Sequence, residues 1–197
     1  IYTRGLLYIM AKAFNELYPE ILLTVNYQLS SSMFCEIENM AVTDDMMKKV
    51  RNKMQEIIDK NLPIKKVQMN KKEAEEFIKK ENTAIGKIQI ENKQKEEVSF
   101  YFCEEYYNYF YGVMPISTGY IKLFDIMKYQ NGFLIRYPSK NEPNEIKPYK
   151  EGKKLLATLK EYDDINTVLG ISTLEQLNEK IRNGESKEII LLSEALH

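Results

Sequence analysis

The sequence has little of the chemistry from which most catalytic and metal sites are built. It contains one histidine, His197, two cysteines, Cys35 and Cys103, and no tryptophan. Two cysteines are too few for a disulfide framework, and they cannot complete a zinc site with the usual Cys and His partners. A glycine-rich phosphate loop ending in Gly-Lys-Ser or Gly-Lys-Thr is also missing. The residues alone therefore predict no catalytic constellation and no metal site.

Neither sign of charge dominates, and long apolar runs are absent. Lys and Arg total 28 against 29 Asp and Glu, which gives a net charge of -1. This balance provides no general attraction to phosphate backbones, so nonspecific nucleic-acid binding is disfavoured. No apolar run reaches the roughly 18 residues that suggest a membrane span. We expect no membrane partner and, with two unpaired cysteines, a cytoplasmic protein.

The eight glycines and six prolines mark where the chain divides. Three prolines and many charges fall between Pro138 and Gly152, where no periodicity is present, so this stretch is predicted to be a linker or long loop. We therefore predict a domain over 1–138, a linker over 139–152 and a helical connector over 153–197. The chain starts at Ile1 rather than Met and ends in an apolar, acidic run, so we expect it to be part of a longer polypeptide.

The periodicity before this linker mixes helices with strands. Thr3 is predicted to cap a buried helix that runs to about Tyr18, and Thr43 is predicted to cap a helix with an apolar stripe. The dipeptide Asn131-Gly132 between two apolar runs predicts a β-hairpin. The expected fold class is α+β, with an antiparallel sheet packed around the buried first helix. Further strands are predicted over 21–29, 33–38 and 64–69, and a further helix after Asn70.

The most distinctive stretch runs from Val98 to Pro115, where eight of the twelve residues from Phe100 to Tyr111 are aromatic. Such residues favour a long strand, which we expect to end near Gly112. Alternation then places Glu104, Asn108 and Phe110 on one face and Tyr101 on the other. Glu104 and Glu105 face opposite sides and cannot act as a catalytic pair. The stretch is either a central strand with Tyr hydroxyls at its edge or the floor of a cleft.

Two polar side chains of the first helix stand out from its apolar surroundings. Arg4 and Tyr8 are four residues apart, so both side chains can point at one place on the same face. The alternative is that Arg4 is an ordinary first-turn cation and Tyr8 an ordinary core aromatic.

The order and spacing of four segments resemble the editing domain of threonyl-tRNA synthetase. The resemblance covers about residues 1 to 138 and implies a cleft lined by parts of the first helix and of the aromatic stretch. The segments that carry it are RGLLYIMAKAFNELYP, TDDMMKKVRNKMQEIIDKNLPIKK, YFCEEYYNYFYGVMPIST and IKLFDIMKYQNGFLIRYP.

The metal motifs of that family are changed in this chain. The family carries a His-x-x-x-His pair on the first helix and a Cys-x-x-x-His pair after the aromatic strand, and the matching positions here are Arg4 and Tyr8, then Phe110 and Met114. None of these side chains is a good zinc ligand. An extended chain would also separate Phe110 from Met114 by roughly 13 Å. If the cleft geometry is kept, a bend near Gly112 must return Met114 to the cleft.

The last part of the chain, DDINTVLGISTLEQLNEKIRNGESKEIILLSEALH, resembles the segment that joins such a domain to the P-loop domain of uridine-kinase-like nucleoside kinases. This resemblance implies a covalently linked kinase domain that uses ATP and Mg, and a noncatalytic accessory role for the present chain. The cleft is expected either to bind a nucleoside, nucleotide or amino acid, or to be filled by its own aromatic side chains, in which case the module only holds domains together. The alternative is a tRNA-related module, either a synthetase fragment or a free-standing editing hydrolase. The candidate cleft residues are Arg4, Tyr8, Tyr101, Glu104, Asn108, Phe110 and Met114.

Overall fold

The computed structural model describes residues 1–38, 40–81, 90, 97–171 and 174–195. The chain forms two compact units. The first comprises Ile1–Gly86 and Lys95–Lys147, and the second comprises Lys87–Gln94 and Pro148–His197. The predicted domain limits at 138 and 153 remain predictions.

The first unit combines three helices with seven strands in its described residues, as the α+β prediction requires. Thr43 caps the second helix, where its hydroxyl accepts a hydrogen bond from Met46 N at 3.2 Å. Thr3 is not the cap of the first helix, which begins one residue earlier. In chain order the elements are α1 (Tyr2–Leu17), β1 (Leu23–Gln28), β2 (Ser32–Ile37), α2 (Asp44–Asp59), β3 (Lys65–Asn70), α3 (Lys71–Glu81), β4 (Glu97–Cys103), β5 (Tyr106–Tyr109), a 3-10 turn (Thr118–Tyr120), β6 (Asp125–Tyr129) and β7 (Gly132–Arg136).

The strands form two antiparallel sheets rather than the single sheet expected. One sheet has the order β1-β2-β7-β6, and the other has the order β3-β4-β5. Helix α1 contacts both sheets. Phe14 stacks on Phe133 of the first sheet with ring centroids 5.4 Å apart, and Tyr8 meets Tyr106 of the second at 5.3 Å. The predicted burial of the first helix is confirmed. Two faces of this helix pack into two separate hydrophobic cores, one against each sheet.

The prediction of one long aromatic strand is wrong, because the chain reverses direction at Glu104. Cys103 pairs with Tyr106, so Glu104 and Glu105 form a two-residue turn between β4 and β5. The backbone of Glu104 has φ 53°, a left-handed conformation that side-chain-bearing residues seldom adopt. The reversal also changes the faces, since Tyr101 now stands opposite Asn108 and shares a face with it.

The hairpin predicted at Asn131-Gly132 is present, but its turn residues are Gln130 and Asn131. Tyr129 pairs with Gly132, and Gln130 has φ 52°. Glycine is required at 132 for a different reason, because a β-carbon there would lie 2.2 Å from the carbonyl oxygen of Cys35 on the neighbouring strand β2.

The second unit is helical in its described residues, which confirms the helical C-terminal region. It contains α4 (Lys153–Leu169), α5 (Leu174–Arg182) and α6 (Ser186–Ala195). Its role as a connector to a kinase domain remains a prediction, and His197 lies outside the described residues. Across the described part of the chain, no helix is both long enough and apolar enough to cross a membrane.

Candidate functional site

Four side chains of α1 form a stripe that faces the β4–β5 hairpin and the segment after it. Arg4, Tyr8, Lys12 and Glu16 follow one another at four-residue spacing, so they lie one turn apart along one side of the helix. Arg4, Tyr8 and Lys12 each reach a main-chain carbonyl of the hairpin or of the following segment. We call these four residues the α1 stripe and residues 110–116 the strap.

Tyr8 is the centre of the α1 stripe and is completely buried. Its hydroxyl lies 3.1 Å from the carbonyl oxygen of Tyr101 and 3.3 Å from that of Tyr106. Burial raises the pKa of this phenol far above its ordinary value, and interactions with Cys103 and Tyr106 raise it further. Tyr8 is therefore a neutral donor shared between two carbonyls of the hairpin.

Lys12 ties the same helix to the tip of the hairpin. Its ammonium group is 3.4 Å from the carbonyl oxygen of Cys103, 2.9 Å from a Glu16 carboxylate oxygen and 3.1 Å from one of Glu104. Burial, which leaves Lys12 only 3% exposed, acts to lower its pKa, but the two carboxylates outweigh that effect and the pKa is raised. Lys12 therefore stays protonated and holds the Glu104 turn.

The sequence analysis missed Lys12, although a signal for it was present. Lysine at position 12 interrupts a stretch of α1 that is otherwise largely apolar, and it continues the four-residue spacing of Arg4 and Tyr8. A charged residue in that register must find partners when the helix is buried, because an unpaired buried charge costs several kcal/mol.

The strap is held at two consecutive residues, one by α1 and the other by strand β4. Arg4 Nη1 donates to the carbonyl oxygen of Val113 at 3.3 Å, and the Tyr101 hydroxyl donates to that of Gly112. Gly112 has φ 80°, and a β-carbon there would lie 3.0 Å from the guanidinium carbon of Arg4. Glycine thus permits both the bend and the close approach of Arg4.

This bend places Met114 in the same buried cluster as Tyr8. The ring of Phe110 packs against the cluster, with its centroid 5.9 Å from that of Tyr8. Four positions match the metal ligands of the family that the sequence resembles. Three of these side chains lie in one apolar cluster, whereas the fourth, Arg4, is exposed beside the strap. The buried members of the cluster are Tyr8, Ile64, Tyr101, Cys103, Tyr106 and Met114.

The remaining predicted cleft residues have local partners. Asn108 donates its side-chain N–H to the Tyr106 hydroxyl at 2.7 Å, and its side-chain oxygen accepts from Tyr109 N at 2.8 Å. Glu104 is exposed at the turn and pairs with Lys12. Of the predicted cleft residues, Tyr101, Met114 and Phe110 pack in the cluster that contains Tyr8.

The side chains at this place do not fit a zinc ion. Phenylalanine and arginine offer no lone pair, Met114 is a poor ligand for Zn²⁺, and the hydroxyl of Tyr8 is directed at carbonyl oxygens. Within the described residues, no group of three or more His, Cys, Asp or Glu side chains is placed to hold a metal ion. No chemical step is therefore assigned to a metal here.

Comparison with known proteins finds similarity to threonine–tRNA ligases. The threonine–tRNA ligase of Listeria welshimeri is 31% identical over 126 residues, which cover 61% of this chain and 19% of that protein. The threonine–tRNA ligase of Clostridium kluyveri is 26% identical over 118 residues, covering 58% of this chain and 18% of the ligase. That of Clostridium acetobutylicum is 25% identical over 123 residues. No family model matches the chain.

These similarities support a domain of the threonine–tRNA ligase type within the chain. They extend over about three fifths of the chain, which itself spans about a fifth of the length of the curated relatives it matches. The kinase context drawn from the C-terminal resemblance is not among them and remains a prediction.

Proposed function

We propose that this chain carries a noncatalytic, tRNA-related module of the threonine–tRNA ligase type, in which the place of the editing cleft is closed by the module's own side chains. The observation that carries the proposal is the position of Tyr8. Its hydroxyl is directed at the carbonyls of Tyr101 and Tyr106, while Phe110 and Met114 pack in the cluster around it.

The titratable groups around Tyr8 support a noncatalytic role. Hydrolysis of an aminoacyl ester needs a water activated by a base or by a metal. Tyr8 and Cys103 keep their protons, because burial raises both pKa values, and Lys12 is protonated. Glu104 is committed to Lys12 at an exposed turn. None of these groups is a free base next to a substrate position.

The proposal has two further parts, a relation to tRNA and a nucleoside-kinase parent. The relation to tRNA rests on the fact that the relatives are threonine–tRNA ligases. With a net charge of -1, the chain would need the rest of a larger protein to bind a tRNA strongly. The nucleoside-kinase parent rests on the resemblance of residues 163–197 alone. If that parent exists, ATP and Mg belong to its P-loop domain.

The first test is a deacylation assay. Threonine-specific tRNA charged with serine is the substrate of choice, since serine lacks only a methyl group and is hard to exclude by binding. We expect the chain to release serine no faster than the uncatalysed rate, with or without added zinc. Clear turnover by the wild-type chain would overturn the noncatalytic assignment.

The second test restores the family's metal motifs. A variant with Arg4→His, Tyr8→His, Phe110→Cys and Met114→His places nitrogen and sulfur ligands at the four matched positions. If the strap brings these positions together, the variant should bind Co²⁺ with the visible absorption of a tetrahedral site, and the wild type should not. Equal cobalt binding by the wild type would contradict the proposed loss of the site.

A further inference from the structure

A group of exposed apolar side chains surrounds the first turn of α1. The exposed fractions are 63% for Tyr111, 62% for Val113, 84% for Ile116, 50% for Tyr120 and 37% for Leu123. Together they present an apolar area on the order of 500 Å², a size at which surface patches are often functional. We call these five residues the first-turn surface.

The segment that carries the first-turn surface contacts three residues at the start of α1, namely Tyr2, Arg4 and Gly5. The Tyr2 hydroxyl donates to the Leu123 carbonyl oxygen at 2.7 Å, and the Tyr2 ring lies 6.3 Å from that of Tyr120. Arg4 donates a hydrogen bond to the carbonyl oxygen of Val113. Gly5 packs so closely against Pro115, the residue before Ile116, that a β-carbon at position 5 would meet the proline ring. The five exposed side chains thus belong to one segment held around a single helical turn.

The two segments that build this surface carry charges of one sign only. Neither of the segments that build it, residues 1–15 and 106–124, contains an Asp or Glu. Arg4 and Lys122 are its exposed cations, and among the described residues neither forms an ion pair. Arg4 uses one of its five N–H groups, on Val113. The surface therefore offers free donors for carboxylates beside apolar side chains.

We propose that the first-turn surface binds an acidic, apolar polypeptide segment of a protein partner. Exposed Tyr and Arg among aliphatic side chains is the composition of a protein interface core. A nucleic acid fits less well, because two cations neutralise few phosphates and three of the five apolar side chains are aliphatic and cannot stack on bases.

The test is an NMR titration of the ¹⁵N-labelled chain with a designed probe. The probe is a twelve-residue peptide that carries leucine and phenylalanine on one side and glutamate on the other. A matched peptide with lysine in place of glutamate and a single-stranded RNA of twelve nucleotides are run in parallel. The glutamate peptide should shift resonances of residues 1–5 and 111–123, and the other two should not.

Two variants and one control locate the binding. Val113→Ser and Lys122→Glu change exposed side chains and leave the Arg4 contact to a backbone carbonyl in place, so each should keep the fold and weaken the glutamate peptide about tenfold. Val67→Ser removes another exposed valine, which is 39% exposed on strand β3, and should leave binding unchanged.

Four outcomes would overturn the proposal. One is the absence of shifts in these resonances up to about 1 mM of the glutamate peptide. Others are stronger binding of the RNA and equal binding of the lysine peptide. The fourth is concentration-dependent dimerisation of the free chain that Val113→Ser abolishes, because the occupant would then be a second copy.

Discussion

The hydroxyl of Tyr8 lies 3.1 Å from the carbonyl oxygen of Tyr101, a residue 93 positions further along the chain. This contact joins the first helix to the central strand of the β3-β4-β5 sheet, at the position that the family resemblance matches to a metal-binding histidine. A hydrogen bond between helix and hairpin thus occupies the place that the resemblance assigns to a metal ligand.

Replacing Tyr8 with phenylalanine should test this contact without creating a large cavity. Tyr8→Phe keeps the ring but removes the shared donor, and we expect a loss of about 1–2 kcal/mol in the free energy of unfolding. Urea denaturation followed by circular dichroism measures it. Tyr120→Phe, at a half-exposed site, should change the same quantity by less than about 0.5 kcal/mol. Equal effects of the two changes would show that the Tyr8 hydroxyl contributes nothing specific.

The sequence predicted the regular elements well because their signals are local. The strand after Ser31, the helix capped by Thr43 and the strand after Pro63 each follow from apolar periodicity or a capping side chain. The α+β class with a buried first helix was confirmed for the same reason.

The β4–β5 turn was missed because its sequence carries no turn signal. Glu104 and Glu105 replace the glycine or asparagine that usually adopts positive φ, and the surrounding aromatic residues favour a strand. The turn is stabilised from outside the hairpin, by Lys12 of α1. A tertiary contact of this kind cannot be inferred from local propensity, and it also explains why the predicted faces of Tyr101 and Asn108 were wrong.

The strap should be sensitive to a small change on the helix that it crosses. A β-carbon at Gly5 would lie 2.5 Å from Pro115 Cγ and 2.9 Å from its Cδ. Gly5→Ala should therefore destabilise the chain by about 1–3 kcal/mol, although alanine favours a helix by about 1 kcal/mol. Pro115→Ala removes the obstructing ring atoms, so the double variant should be more stable than the sum of the single effects predicts. Additive effects in this double-mutant cycle would contradict the contact.

Both cysteines should be unreactive in the folded chain. Cys35 is fully buried and Cys103 is 1% exposed, and burial raises both pKa values, that of Cys35 to about 12. A thiol-specific colorimetric reagent at pH 8 should therefore modify neither cysteine until guanidinium unfolds the chain. Thr24→Cys on the exposed strand β1 is the control and should react at once with one equivalent. Rapid reaction of the wild type would mean that the hairpin opens readily.

The ion pairs of Lys12 should make stability depend on pH in the acid range. Glu16 has a pKa below its ordinary 4.5: burial acts to raise it, but Lys12 and Lys53 outweigh burial. A carboxylate with a lowered pKa contributes stability above its unfolded value and loses it as pH falls through the folded one. Lys12, with a raised pKa, contributes below about 10.5 and loses its contribution only as pH rises through its folded pKa. The acid side is therefore the informative one.

Lys12→Met should lower the free energy of unfolding by about 1–3 kcal/mol at pH 7, because Glu16, Glu104 and the Cys103 carbonyl lose a common donor. As pH falls through the lowered pKa of Glu16, this carboxylate becomes protonated and its ion pair with Lys12 is lost, so the difference between variant and wild type should shrink. Urea denaturation at pH 7, 5 and 3 measures this change. Lys60→Met, which breaks an exposed pair with Glu56, should alter stability little at any pH. If the effect of Lys12→Met stays the same from pH 7 to pH 3, the hairpin turn is held to α1 by packing of the lysine stem and not by its ion pairs.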